Sequence, residues 1–148
     1  MITDDVHVDA HVLATDALDV VHAPAALHDD AVLMALLDRG DLLPDWDDAW
    51  VPLEREWLRR LRLRALDTLS VRLARQGMTA LALEAALASI RIEPLRENPH
   101  RTVVSAHLAE GNLFEALRHF QAYRSLLRTE LGVEPSPGLE RMVSAPRR

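Results

Sequence analysis

A chain of 148 residues is the size of one ordinary domain, and 49% apolar residues with only three Trp, two Phe and one Tyr suggest an aliphatic, helical core. The lack of cysteine excludes a disulfide framework and any thiolate metal site. No apolar run approaches membrane-spanning length, and the N-terminus, MITDDVHVDA, is acidic where a secretory signal is basic, so a cytoplasmic protein without a membrane role is expected. The net charge of −6 hides an uneven split. Residues 1–50 hold twelve Asp and one Arg, whereas residues 53–75 hold Arg55, Arg59, Arg60, Arg62, Arg64, Arg72 and Arg75 against Glu54, Glu56 and Asp67. A nucleic-acid face is one reading of that basic stretch. Arginines set nearly all round a helix more often form a solvated surface with internal ion pairs, and an acidic chain lacks the overall footprint of a DNA binder.

In chain order, Val6-His7-Val8 alternates like the stub of a strand, too short to form a sheet alone. Residues 10–22 carry a helical stripe of Leu13, Ala14, Ala17, Leu18 and Val21 that stops before Pro24. A second stripe over 29–39, Val32, Leu33, Leu36 and Leu37, opens on Asp29 and Asp30 and ends at Gly40. DLLPDWDDAW then turns into a long helix from about Pro52 to about Gln76. Residues 79–92 form the next helix, with Leu83, Leu87 and Ile90 on one stripe and Ala82, Ala86 and Ser89 on a neighbouring small-residue face. Asn98, as a capping side chain before Pro99, starts a helix running through Val103, Val104, His107 and Leu108 to Gly111. Leu113, Leu117, Phe120, Tyr123, Leu127 and Leu131 line a further long helix closed by Gly132, and Ser136-Pro137 starts a last short one.

Two of these segments repeat at a spacing of 34 residues: Gly77 recurs as Gly111, Ala82 as Ala116, and Tyr123 stands where the first copy has Ser89. Leu66, Leu69 and Leu73 face inward in the first copy, with Pro94 closing it; Val103 and Phe120 take matching places in the second. The period is that of stacked helical hairpins of the tetratricopeptide (TPR) type, in which a glycine turns the chain and alanines let helix backbones approach. The expected fold is therefore all-α, a TPR-like right-handed superhelix of antiparallel hairpins with about seven helices, in a single domain over 1–148 whose residues 144–148 are a flexible tail. Two hairpins alone expose too much apolar surface, which gives the flanking helices a capping role. Carrying the register over, Arg64, Asp67, Val71 and Arg75 of one repeat lie beside Arg101, Ser105 and Leu108 of the next, lining a concave groove. Three arginines converge there, forked donors suited to carboxylates, so the expected ligand is an acidic peptide or helix. The chain's own acidic N-terminal helices are the competing occupant.

Catalysis finds little support. There is no GxSxG elbow, phosphate-cradling loop, GxGxxG or HExxH, and no cysteine nucleophile, so no enzyme and no cofactor is expected. Asp45, Asp47 and Asp48 lack the glycine and distal glutamate of an EF-hand. His100 and His107 stand two helical turns apart, too far for an i, i+4 ligand pair, so no metal site is expected. Trp46, Trp50 and Trp57 share a face if their segment is helical, either as an aromatic patch for a partner or as packing anchors.

The phrases DLLPDWDDAW, RIEPLRENPHR, HLAEGN and ELGVEPSP, within a run from LLPDWDDAW to GVEPSP, strongly resemble the bacterial transcriptional activator domain. This is the TPR-like helical domain of the SARP family of antibiotic-regulatory transcriptional activators. There it usually follows a winged-helix DNA-binding domain, and VHVDAHVL is similar to the junction between the two, which makes residues 1–8 a junction remnant. The resemblance implies a regulatory protein–protein interaction domain whose partner is the transcription machinery, another regulator or a second copy. No recognition helix or wing precedes Met1 in this sequence, so specific DNA binding by these residues alone is not expected. The alternative is a free-standing TPR-like adaptor or inhibitor with no role in transcription.

Overall fold

Five helices follow one another from residue 51: α1 (Val51–Arg75), α2 (Thr79–Ile92), α3 (Glu97–Ala109), α4 (Leu113–Leu131) and α5 (Pro137–Ser144). The computed structural model describes residues 51–145 together with Thr15, Ala17, Leu18, Asp19, Val21 and His22, which are helical. Counting these as a sixth helix, the described residues hold six helices rather than about seven, and no strand. The expected helix over 29–39, the strand stub at Val6-His7-Val8, the acidic loop at Asp45, Asp47 and Asp48, and Trp46 and Trp50 lie outside the described residues.

The chain divides into two compact units, residues 1–69 and 70–148. In the first, α1 begins one residue before Pro52, whose fixed φ suits a helix start. Leu58, Leu61, Leu63, Ala65, Leu66 and Leu69 are buried along it. Of its arginines in this unit, Arg60 and Arg64 are exposed and Arg55, Arg59 and Arg62 half-buried, and Glu56 pairs with Arg60 at 2.7 Å and with Arg59 at 3.5 Å.

The second unit contains the duplication in atomic detail. Gly77 and Gly111 both take positive φ, 75° and 76°. Behind each, the same two backbone bonds close the helix: Gly77 N–H to Ala74 O at 3.1 Å and Met78 N–H to Leu73 O at 2.9 Å, then Gly111 N–H to Leu108 O at 3.1 Å and Asn112 N–H to His107 O at 2.8 Å. This is the Schellman closure, written twice 34 residues apart. After each turn the next helix begins in the same way, Ala82 N–H bonding to Met78 O and Ala116 N–H to Asn112 O.

Within this unit α2 packs on α3, α3 on α4, and α5 on both α3 and α4. Ala82, Ala86 and Ser89 are fully buried, so the small-residue face of α2 is the one that packs, while Leu83, Leu87 and Ile90 are half-buried. One core cluster joins Val104 of α3, Ala116, Phe120, Tyr123 and Leu127 of α4, and Leu139 of α5, with Leu95, Leu108, Met142 and Val143 packed against it.

Two local expectations need correction. α3 starts at Glu97 after Arg96, so Asn98 falls inside its first turn and does not cap it. Leu113, Leu117 and Leu131 do not line the buried side of α4; they are exposed, since the inward stripe is carried by Ala116, Phe120, Tyr123 and Leu127.

Candidate partner-binding surface

The expected groove residues divide between the two units. In the first, Arg64 is exposed and Asp67 half-buried. In the second, Val71 and Arg75 are exposed at the end of α1, and Arg101, Ser105 and Leu108 fall on α3. Val71, 41% in contact with solvent, is an apolar side chain with no burial to explain it.

The three positions on α3 differ in what they touch. Leu108 leans on the core cluster. Ser105 is exposed. The guanidinium of Arg101 is engaged within the chain: Nη2 donates to Glu97 Oε1 at 2.7 Å and to Ser136 Oγ at 3.2 Å. It also lies over Gly138, where an added Cβ would come within 3.3 Å of Nη2.

Glu97 is the centre of this arrangement. Its Oε2 accepts the backbone N–H of Ser136 at 2.8 Å, and its Oε1 accepts the Ser136 hydroxyl. Ser136 Oγ in turn accepts from Leu139 N–H at 3.3 Å, capping α5. Burial alone would raise the Glu97 carboxyl, but the hydrogen bonds from Ser136 and Arg101 and the adjacent guanidinium charge bring it below the usual carboxylate range. Further along, Glu134 is clasped by Arg124 at 2.7 Å and by Arg128, which holds its carboxyl low as well.

A second polar assembly joins α3 to α4. His100, buried, bonds through Nδ1 to His119 Nε2 at 2.9 Å and through Nε2 to the Pro94 carbonyl at 2.7 Å. The Tyr123 ring stacks on His100 with centroids 3.9 Å apart, and its hydroxyl donates to Leu95 O at 3.1 Å. Burial lowers the His100 pKa, partly offset by the Pro94 carbonyl and the Glu97 charge. His119 is pushed down to about 4 by burial, then by His100 and His107. Burial and the Glu97 charge raise Tyr123. Sequence spacing gave no sign of this pair, because 19 residues and a turn separate the two histidines.

Among the described residues, no group of three or more His, Asp or Glu side chains is placed to hold a metal ion, and no helix is long and apolar enough to cross a membrane. Trp57 is 47% exposed.

Residues 6–145 match the family model of the bacterial transcriptional activator domain. The chain is also 32% identical over 103 residues to the regulatory protein AfsR of Streptomyces coelicolor, covering 70% of this chain and 10% of that protein. No solved structure matches it. The family is regulatory rather than catalytic, and it ties the chain to transcription regulation. With its helices, its duplicated turns and a match over nearly its whole length, the chain belongs to the bacterial transcriptional activator domain family.

Proposed function

We propose that this chain is the helical protein–protein interaction domain of a SARP-type bacterial regulator, working in the cytoplasm without cofactor or catalysis. In this reading residues 1–148 act as one domain with a TPR-like right-handed superhelix. The observation that carries it is the exact recurrence of the helix-ending turn at Gly77 and Gly111, with buried Ala82 and Ala116 five residues on. Stacked hairpins of that kind present extended surfaces for other proteins.

The residues proposed for partner contact are Arg64 and Asp67 in the first unit and Val71, Arg75, Arg101, Ser105 and Leu108 in the second. The exposure of Arg64, Val71, Arg75 and Ser105 supports it. Their chemistry suits an acidic peptide or helix from the transcription machinery or another regulator. Arg101 and Leu108 contribute from the rim, since both already have partners within the chain. Duplex DNA is not a specific ligand of the chain alone, because its net charge of −6 opposes phosphate.

The test is Arg64→Glu with Arg75→Glu, measured by partner pull-down from cells and by thermal unfolding. Loss of a specific regulator or polymerase component at unchanged stability supports the groove. An unchanged set of bound proteins removes it.

A further inference from the structure

Helix α5 is a short amphipathic segment whose every anchor would be offered unchanged by another copy of the chain. Leu139 is fully buried with Val104, Ala116, Phe120, Tyr123 and Leu127, while Met142 and Val143, three and four residues on, pack against the same cluster. Ser136 is gripped by Glu97 and Arg101. Between α4 and this helix the chain reverses at Gly132, φ 67°, and Glu134 ties the linker back to Arg124 and Arg128 of its own α4. On either side of that glycine, Leu131 and Val133 are 56% and 48% exposed. The folded-back form leaves this apolar pair in water.

We propose that α5 is exchanged between two copies of this chain. The hinge at Gly132 opens, each copy's Leu139 fills the seat between α3 and α4 of the other, and the two hinges meet through Leu131 and Val133. The proposal goes beyond the groove reading and does not depend on it. Exchange of a terminal element reforms its contacts in trans, which makes it a low-cost route to a two-fold dimer. What opening gives up is the Glu134 pairing, which is solvent-exposed and therefore weak. What it gains is burial of apolar surface at the hinges. A tethered helix has a high effective concentration at its own seat, so the hinge geometry and the Glu134 latch set the balance between the two forms.

The test uses the full chain carrying Gly132→Ala and Glu134→Arg together. Alanine disfavours the positive φ of the fold-back, where its Cβ would otherwise meet nothing, and arginine repels Arg124 and Arg128. Neither change touches α5 or its seat. Sedimentation equilibrium is expected to show a dimer about tenfold tighter than that of the unaltered chain, with helicity by circular dichroism unchanged. Excess synthetic peptide of residues 132–145, added to the double variant, competes for the seat between α3 and α4 and is expected to convert that dimer to monomer. A folded monomer throughout the concentration series, without peptide, overturns the proposal. Conversion to monomer supports exchange of α5, and a dimer indifferent to the peptide overturns it. If the double variant itself does not fold, Gly132→Ala alone is measured, and no tightening of the dimer there overturns the proposal.

Discussion

Glu97 accepts the backbone N–H of Ser136 at 2.8 Å although 39 residues separate them, and the same carboxylate takes the Ser136 hydroxyl and Arg101. One side chain at the start of α3 thereby fixes where α5 begins. Glu97→Ala is expected to lower stability by about 1–3 kcal/mol, since it strips charge-assisted bonds and leaves Arg101 without its carboxylate. Glu97→Gln keeps an acceptor for the Ser136 N–H and should cost less. Urea unfolding of the two variants checks the order, and equal losses would count against the role of the charge.

Acidification should weaken the fold in two stages. His119 has a folded pKa of about 4 against an ordinary value of 6.5, so between these limits the unfolded chain takes up a proton that the folded chain refuses. Stability is thus complete above about pH 6.5 and declines towards pH 4, with the lowered His100 adding to the slope. Below the ordinary carboxylate range Glu97 begins to lose its clamp as well, because its folded pKa is also depressed. His119→Gln, which can still donate to His100, should flatten the fall between pH 6.5 and 4 while leaving the more acidic limb in place. Melting midpoints across that range measure it, and parallel curves for both proteins would remove His119 as the cause.

At Gly77 and Gly111 an added Cβ meets nothing within 4 Å, so only the positive φ resists substitution. Gly77→Ala and Gly111→Ala should therefore each cost about 1–2 kcal/mol through backbone strain alone. The duplication makes a specific demand here: the two losses should be similar. Chemical denaturation of each single variant tests the equivalence.

Ala82 and Ala116 are fully buried at matching places after those turns. Leucine at either one should force packed helices apart at a cost of about 1–3 kcal/mol. An unchanged melting midpoint for both would show that neither position is a close helix contact.

Much of this architecture was legible because the deciding physics is local. Gly77, Gly111 and Gly132 announce helix ends through a conformation that other residues resist, and all three take positive φ. Ser136-Pro137 gave the start of α5 for the same reason, a hydroxyl cap followed by a ring with fixed φ. The polar links between helices were not legible. Nothing near Glu97 reveals that its bonding partner is Ser136, and Asn98, the better local cap, drew attention one residue away. The periodicity of α4 is ambiguous because leucines occupy both its buried and its exposed sides, and only the packing of α3 and α5 selects Leu127 over Leu113 and Leu117. Spacing put Arg101 on a helix, as found, but it could not foresee that its guanidinium is held by Glu97 and Ser136.

The carbonyl of Pro94 also settles a question of proton direction. A carbonyl can only accept, so the neutral ring of His100 must carry its hydrogen on Nε2, and its Nδ1 is left as a lone pair facing His119. His119 then has to be the Nε2–H tautomer, donating towards His100. A single backbone oxygen thus imposes one polarity on both imidazoles, and the pair can share one extra proton but not two, since a second would set N–H against N–H across 2.9 Å.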